Sequence, residues 1–233
     1  MKGHSGITTL FLDIGGVLLT DGWDHQARRR AAKAFKLDWS EMEDRHHIMF
    51  ATYEEGRLTL ENYLSRVVFF RRRPFSPAQF RRFIFAQSKP CPGMIELILQ
   101  LKRRYGLKIV VVSNEARELN AYRIRAFKLA RLADCFISSC FVHLRKPDPA
   151  MFQLALDLAQ APLGEIVYID NTPLFIQTAV GMGIRSILHT DYRTTRDQLT
   201  SLGLDSRDQP GRAPGRTNKT NATAGNTPLR RQA

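Results

Sequence analysis

The sequence has little cysteine and no long apolar run, and these two absences exclude several classes of protein. Only three of the 233 residues are cysteine and none forms a C-x-x-C pair, which argues against a disulfide framework or a cysteine zinc site. No apolar segment approaches the roughly 18 to 20 residues of a membrane span. The apolar stretch 7–12 is too short for a signal-peptide core and runs directly into Asp13. We therefore expect a cytoplasmic protein that does not associate with membranes.

Positive charge exceeds negative charge by a wide margin. The 35 Lys and Arg residues outnumber the 22 Asp and Glu residues, giving a net charge of +13, which is typical of proteins that bind anions. Residues 205–233 carry six basic and two acidic residues and one large apolar side chain, so we predict a disordered basic tail there. The arginine triplets 28–30 and 71–73 are expected to be solvated. Because no nucleic-acid-binding motif accompanies the charge, association with nucleic acid is only a minor alternative.

Short apolar runs alternate along the chain with segments of helical periodicity. We predict strands near 7–12, 109–112, 166–169 and 185–188, with short extended segments at 136–137 and around Val142. Helices are predicted between most of these runs. This alternation predicts an α/β fold with a doubly wound, Rossmann-like parallel sheet.

The stretch 24–88 departs from this alternation because its periodicity is helical throughout. Helices are predicted near 24–36, 40–53, 59–71 and 77–87, with capping boxes beginning at Ser40 and Ser76. A helical block between the first two strands of a parallel sheet is an insertion. We therefore predict an α/β core formed by 1–20 and 91–204, an all-helical cap over 21–90 and the tail beyond.

Polar side chains with complementary chemistry follow the predicted strands. Asp13, Ser113-Asn114 and Asp170 stand at strand ends, and Lys146 precedes a Pro-Asp-Pro turn. The carboxyl ends of parallel strands form one edge of the sheet, where ligands bind. A carboxylate can attack phosphorus, a second carboxylate can help to hold Mg2+, and a lysine and a hydroxyl can hold the transferring oxygens. The Gly15-Gly16 pair lets the backbone turn sharply close to a ligand. The set suits phosphoryl transfer.

The order and spacing of these residues resemble the four motifs of haloacid dehalogenase (HAD) superfamily hydrolases with a helical cap. The four segments are Phe11-Leu12-Asp13-Ile14-Gly15-Gly16-Val17, Val111-Val112-Ser113-Asn114, Arg145-Lys146-Pro147-Asp148-Pro149 and Val167-Tyr168-Ile169-Asp170-Asn171. The resemblance covers about 7–200. It implies catalytic roles for Asp13 as nucleophile, Ser113 as phosphate holder and Lys146 as charge stabiliser.

The resemblance also implies where substrate and metal bind. Substrate contacts are expected from Ser113, Asn114, Lys146 and Gly16. The Mg2+ ligands are expected to be the carboxylates of Asp13 and Asp170 and the backbone carbonyl of Gly15.

Two positions depart from the family pattern. Family phosphatases usually carry a second Asp where this chain has Gly15, and that Asp transfers a proton to the leaving group. A second carboxylate usually follows the one at Asp170, but Asn171, Leu174 and Phe175 occupy the usual positions here. Asp21 and Glu115 are hypothetical substitutes for the missing proton donor, chosen only because we expect them to lie nearby.

The sequence therefore predicts a Mg2+-dependent phosphatase of a small phosphorylated metabolite that works through an aspartyl phosphate on Asp13. The alternative is a catalytically impaired binding or regulatory protein with the same fold. A 2-haloacid dehalogenase is a third reading, disfavoured because that branch lacks a metal and carries an aromatic residue where Gly15 stands. His46-His47 is expected to be a surface pair, and Trp23, Trp39 and Tyr53 are expected to pack in the core. The substrate and the oligomeric state are not predicted.

Overall fold

The computed structural model describes residues 6–206 and arranges them around a five-stranded, wholly parallel sheet. The strands are β1 (Thr9–Leu12), β2 (Lys108–Ser113), β3 (Cys135–Ser138), β4 (Ile166–Asp170) and β5 (Arg185–Leu188). Their order across the sheet is β3-β2-β1-β4-β5. The chain winds to one side of β1 and then to the other, which confirms the predicted doubly wound α/β fold. The reversal of strand order at β1 creates a crevice beyond its carboxyl end, next to Asp13.

Ten α-helices accompany the strands within residues 6–206. Four of them lie between β1 and β2 in the chain, where the helical insertion is predicted: α1 (His25–Ala34), α2 (Trp39–Glu54), α3 (Leu60–Val67) and α4 (Pro77–Ala86). The others are α5 (Pro92–Tyr105), α6 (Arg117–Ala126), α7 (Ser139–Val142), α8 (Pro149–Ala159), α9 (Pro173–Gly181) and α10 (Tyr192–Ser201). Short 3-10 turns occupy 129–131 and 163–165. No helix within 6–206 is long and apolar enough to cross a membrane.

Strand β1 contributes to a separate hydrophobic core on each face of the sheet. Leu10 and Leu12 pack into one core with α5, whereas Phe11 points to the opposite face and packs with Met151 and Phe152 of α8. Successive side chains of a strand alternate between faces, so a strand buried on both faces reads as a continuous apolar run. This burial explains why the run that precedes Asp13 has no polar alternation.

The four inserted helices have a hydrophobic core of their own, rich in aromatic rings. Trp23 donates a hydrogen bond from Nε1 to the hydroxyl of Tyr63 at 2.9 Å, and Tyr53 stacks on Tyr63 with ring centroids 4.2 Å apart. The same cluster extends to Ala116 and Leu119 at the start of α6. The helical block is therefore anchored to the sheet domain through α6.

Two linkers connect the helical block to the sheet domain and lie side by side. Leu19 and Pro90 form an isolated antiparallel bridge. The N–H of Thr20 donates to the carbonyl of Lys89 at 2.9 Å, and the N–H of Cys91 donates to that of Leu18 at 2.9 Å. The chain thus enters and leaves the helical block at the same place.

Three local predictions are wrong for identifiable reasons. Val142 ends helix α7 instead of lying in an extended segment, because a helix of four residues is too short to show a helical period. Helix α2 is capped by Asp38, whose side chain accepts from the N–H of Glu41, instead of by Ser40. His46 is buried, with Nδ1 2.7 Å from the Tyr63 hydroxyl, while His47 is exposed. Neighbouring residues on a helix point about 100° apart, so one can face the core and the other solvent.

Arg28 is likewise buried instead of solvated, because it pairs with the carboxylate of Glu43. The capping box at Ser76 is confirmed. The predicted tail falls outside the described residues from 207 onwards.

Candidate active site

Asp13, Lys146 and Asp170 meet at the carboxyl edge of the sheet. The ammonium nitrogen of Lys146 lies 3.1 Å from Oδ1 of Asp13 and 2.5 Å from Oδ2 of Asp170. All three side chains are buried. Three residues that are far apart in the sequence therefore form one carboxylate–ammonium–carboxylate cluster, as the strand ends predicted.

Burial and mutual charge set the protonation of this cluster. Burial raises the pKa of Asp13 to about 6, although the positive charge of Lys146 opposes the rise. Burial alone would lower the pKa of Lys146, but the carboxylates of Asp13 and Asp170 raise it above its usual value. Lys146 is therefore an ammonium ion at neutral pH, and Asp13 is largely ionised there.

The strand end and the following helix hold Asp170 in place. Its Oδ1 accepts a hydrogen bond from the N–H of Thr172 at 2.7 Å, and its Oδ2 accepts one from the hydroxyl of Tyr168. Tyr168 stands two residues earlier on β4 and so points to the same face of the strand. Sequence reasoning missed this partner, which the two-residue period of the strand would have revealed.

The side chain of Asn114 positions the backbone of Lys146. Its Oδ1 accepts from the Lys146 N–H at 2.9 Å, and its Nδ2 donates to the Lys146 carbonyl at 2.9 Å. The loop after β2 is therefore joined directly to the segment that carries Lys146. Ser113 ends β2 with a buried hydroxyl that lowers the pKa of Asp13, yet it makes no hydrogen bond of good geometry within residues 6–206.

Asp21 reaches the space that a side chain at position 15 would fill. A Cβ built on Gly15 would lie 3.4 Å from Oδ1 of Asp21. The same oxygen accepts a hydrogen bond from Nδ2 of Asn171 at 3.2 Å. Asp21 is exposed at the surface, but its partial removal from water raises its pKa, although the hydrogen bond from Asn171 opposes the rise. Asp21, Glu115 and Asp13 all line the cavity described below.

Gly16 permits the close approach of these groups. Its φ of +69° lies in the left-handed region, and a Cβ there would be 1.9 Å from Nδ2 of Asn171 and 2.8 Å from Oδ1 of Asp21. Only glycine fits both requirements.

Glu115 is held differently from Asp21. Its side chain is completely buried and forms an ion pair with Arg123. Burial raises its pKa above the usual range, although Arg123 opposes the rise. Glu115 lines the cavity described below, but its carboxylate is already engaged by Arg123.

A cavity of about 410 Å³ lies over Asp13, between the sheet edge and the helical block. Its walls include Trp23, Phe50 and Tyr53 from the helical block and Phe175 from α9. The two sides of the cavity are joined by an ion pair, because Arg145 donates from Nη2 to Oε2 of Glu54 at 2.7 Å. Sequence reasoning expected Trp23 and Tyr53 to be core residues. Both are buried and also border the cavity.

The donor atoms present suit a hard cation such as Mg2+. Asp13 and Asp170 supply two carboxylates, and Gly15 and Asn171 add backbone and amide oxygens in the same loops. Oδ1 of Asp13 is buried and lacks a well-aligned hydrogen bond within residues 6–206, which leaves a lone pair for a ligand. No cluster of three or more Asp, Glu, His or Cys ligands occurs among those residues. Mg2+ commonly needs only one or two carboxylates, because water and substrate phosphate complete its octahedron.

The fold and the site together define a class: a Rossmann-like α/β protein with an Asp–Lys–Asp cluster beneath a helical insertion. The family model for haloacid dehalogenase-like hydrolases matches residues 7–183. The chain belongs to this hydrolase family.

Two curated relatives share part of the sequence. Bifunctional epoxide hydrolase 2 from Sus scrofa is 29% identical over 113 residues, which cover 47% of this chain and 20% of that protein. A protein from Caldanaerobacter subterraneus that carries the provisional name pyrophosphatase PpaX is 29% identical over 92 residues, covering 40% of this chain and 41% of that protein. The chain thus matches about a fifth and two fifths of the lengths of these relatives.

Solved structures of the same family share the fold at low sequence identity. A HAD family enzyme from Bacteroides thetaiotaomicron superposes with a TM-score of 0.69 at 20% identity, covering 84% of this chain and 98% of that one. A further structure of that enzyme, at a TM-score of 0.65 and 19% identity over 78% of this chain and 93% of that one, contains magnesium and inorganic phosphate. L-2-haloacid dehalogenase from Xanthobacter autotrophicus superposes with a TM-score of 0.56 at 14% identity, covering 85% of this chain and 84% of that one. At these identities the likeness concerns the fold alone.

Proposed function

We propose that this protein is a Mg2+-dependent phosphatase of a small phosphorylated metabolite, with Asp13 as its nucleophile. The buried Asp13–Lys146–Asp170 cluster, whose Asp13 lines the cavity, carries the proposal. A lysine held beside a reactive carboxylate offsets the repulsion that a phosphate dianion would meet there. The pyrophosphatase name of one relative and the magnesium and phosphate in a structural neighbour support the same choice.

In the first step an Oδ atom of Asp13 attacks the phosphorus, and the bond from phosphorus to the leaving oxygen breaks. An aspartyl phosphate forms on Asp13. The ammonium of Lys146 and the hydroxyl of Ser113 hold the transferring oxygens. When bound by Asp13 and Asp170, Mg2+ would neutralise charge between the carboxylates and the phosphate.

We assign the proton transfers to Asp21. In the first step its carboxyl group gives a proton to the leaving alkoxide. In the second step the resulting carboxylate takes a proton from the water that attacks phosphorus, and Asp13 leaves as a free carboxylate. The position of Asp21 beside Gly15 and its raised pKa support this role.

A panel of phosphate monoesters assayed with Mg2+ tests the proposal. We expect turnover by the unaltered chain and a loss of at least about a thousandfold in Asp13→Asn, because the nucleophile is removed. If the chain releases halide from 2-chloropropionate but no phosphate from the monoesters, it is a dehalogenase and the phosphatase proposal is wrong. Tight binding of phosphate without any turnover would favour the binding-protein alternative.

The assignment of Asp21 is tested by comparing good and poor leaving groups. Asp21→Asn is expected to lower kcat/KM, which reports only the steps up to loss of the leaving group, about 10²- to 10⁴-fold on an alkyl phosphate. The loss should be far smaller on p-nitrophenyl phosphate, whose leaving group needs no proton. Asp24→Asn is the matched control, because Asp24 lines the same cavity and asparagine caps helix α1 equally well. Equal losses on both substrates would rule out proton donation by Asp21.

A further inference from the structure

Arg123 on helix α6 is buried, and three nitrogens of its guanidinium group have partners. Nη1 pairs with the carboxylate of Glu115, Nη2 donates to the carbonyl of Thr20 at 2.9 Å, and Nε donates to Oγ of Ser88 at 3.0 Å. Thr20 and Ser88 belong to the two linkers of the helical block, and Thr20 is itself bonded to Lys89. One guanidinium therefore joins both linkers to the residue that directly follows Ser113-Asn114.

The backbone of the first linker, 18–22, passes close to this guanidinium at Gly22. Gly22 has a φ of +78°, and a Cβ at this position would lie 1.8 Å from Nη2 of Arg123. Any other residue would displace the arginine or the linker. The contact between Arg123 and Thr20 thus depends on a specific backbone path, beyond the general burial of the side chain.

The loop that contains Glu115 is also tied to the far end of the same helical block. The N–H of Glu115 donates to Oγ of Ser139 at 2.9 Å, and that hydroxyl donates to the carbonyl of Glu54 at 2.7 Å. Glu54 is the last residue of α2. Movement of the helical block against the sheet domain would therefore strain the loop at two separate points.

Displacement of this loop would carry Lys146 with it. Asn114 holds the backbone of Lys146 through two hydrogen bonds of 2.9 Å, and the Lys146 ammonium contacts both carboxylates of the cluster. The connected groups run from the linkers through Arg123 and Glu115 to Lys146. Every link in this series is a direct contact between polar atoms or adjacent residues.

We propose that Arg123 is a positioning residue that couples the placement of the helical block to the loop 113–115 and so to Lys146. Its effect on turnover rests on the proposed phosphatase function. Lysine at this position would keep the charge but not the planar fork, so it cannot serve Glu115, Thr20 and Ser88 together. Small displacements of catalytic groups can cost about a hundredfold in rate.

Two variants of the full chain test this coupling, with Arg125→Lys as the matched control on the exposed face of α6. Arg123→Lys removes the fork, and Ser88→Ala removes a single hydroxyl and serves if the first variant folds poorly. We expect both to speed amide hydrogen exchange in linkers 18–22 and 87–91 and in loop 113–116, without changing exchange in β1 or β4. We expect kcat to fall about 10- to 100-fold in Arg123→Lys at temperatures well below its Tm, and Arg125→Lys to change neither measurement.

The outcomes separate this proposal from the phosphatase proposal. Faster amide exchange in the linkers with unchanged exchange in loop 113–116 would overturn the coupling. Unchanged exchange in the linkers would overturn it as well. If exchange rises in the linkers and the loop but kcat is unaltered, the proposed effect of Arg123 on the position of Lys146 is wrong. If the unaltered chain hydrolyses no phosphate ester, the phosphatase proposal fails, and the exchange in loop 113–116 still decides whether Arg123 couples the two regions.

Discussion

Asp13 binds its proton more tightly than an ordinary aspartate, although a lysine lies beside it. Burial raises its pKa from 3.8 to about 6. The folded chain therefore holds a proton on Asp13 that the unfolded chain releases at lower pH. Stability falls as the pH rises from about 4 to 6, because the ionised carboxylate is less well solvated in the folded state. The proposed nucleophile therefore destabilises the fold at neutral pH.

Replacing Asp13 by asparagine should remove this cost. At pH 7 we expect Asp13→Asn to raise the free energy of unfolding by up to about 3 kcal/mol, the equivalent of two pKa units. Near pH 4 the gain should disappear, because Asp13 is then already neutral in the folded chain. Urea unfolding at both pH values measures the effect, with exposed Asp44→Asn as control. A gain that is equal at both pH values would contradict the raised pKa.

Two glycines with the same φ allow the cost of left-handed backbone strain to be measured apart from the cost of a steric clash at the added Cβ. Gly16 and Gly106 both have a φ of +69°, but a Cβ on Gly106 would meet no atom within 4 Å. We expect Gly106→Ala to cost about 1–2 kcal/mol of stability through left-handed strain and to leave turnover intact. Gly16→Ala should cost more and should also lower turnover, because it displaces Asn171 and Asp21. Thermal unfolding and the phosphate assay measure both effects, and identical behaviour of the two variants would contradict the collision.

Helix α2 is fastened to the sheet domain at its carboxyl end. The side chains of Glu54 and Arg145 are only 15% and 27% exposed, so water screens their ion pair less than it screens a surface pair. Burial raises the pKa of Glu54, although Arg145 opposes the rise. Nδ1 of His143 adds a contact of 2.7 Å to the carbonyl of Glu55. The carboxyl end of α2 is therefore held to the sheet domain by two polar contacts.

Weakening this ion pair should loosen that end of α2. We expect Arg145→Gln to cost about 1–3 kcal/mol of unfolding free energy, because it leaves the largely buried carboxylate of Glu54 without its charged partner. The exposed pair between Arg103 and Glu96 provides the matched control, and Arg103→Gln should cost less than about 0.5 kcal/mol. Urea unfolding of the two variants measures the difference. Equal costs would show that the pair between Glu54 and Arg145 is as weak as a surface pair.

The sequence predicted the structural features that neighbouring residues determine, and it missed features that depend on tertiary packing. Strand β1 and the capping box at Ser76 follow from their own residues, and both are present. The burial of His46 depends on Tyr63, 17 positions away, which periodicity within α2 does not encode. Helix α3 ends at Val67, before the predicted 71, although no proline or glycine stops it there.

The same division holds at the candidate site. Asp13, Lys146 and Asp170 were predicted together because parallel strands end at one edge of a sheet. Glu115 and Asp21 were equal candidates in the sequence, since both were expected near Asp13. Only the fold separates them: both line the cavity, but Arg123 engages the carboxylate of Glu115, whereas Oδ1 of Asp21 lies beside the position of Gly15. The partner of Glu115, Arg123, lies on the next helix, and the sequence spacing of the two residues does not predict their contact.

The last described turn of the chain closes one core of the whole molecule. Leu204 is buried in the cluster that contains Leu10 and Leu12, and the N–H of Asp205 donates to the Tyr105 hydroxyl at 3.0 Å. We expect a chain that ends at Gly203 to be about 2–4 kcal/mol less stable than one that ends at Ser206. Thermal and urea unfolding of the two truncated chains measure the difference. Equal stabilities would show that Leu204 does not contribute to the core.

The bridge between Leu19 and Pro90 has a consequence for how such a chain can change over evolution. A segment whose two ends adjoin can be lengthened, shortened or exchanged without stretching the sheet. Neither the register of β1 nor its path into α5 depends on how many residues lie between the linkers. A replacement block would need an apolar face for Ala116 and Leu119, a backbone path around Arg123 and a polar partner for Arg145. The helical block can therefore be exchanged while the sheet domain keeps its own fold.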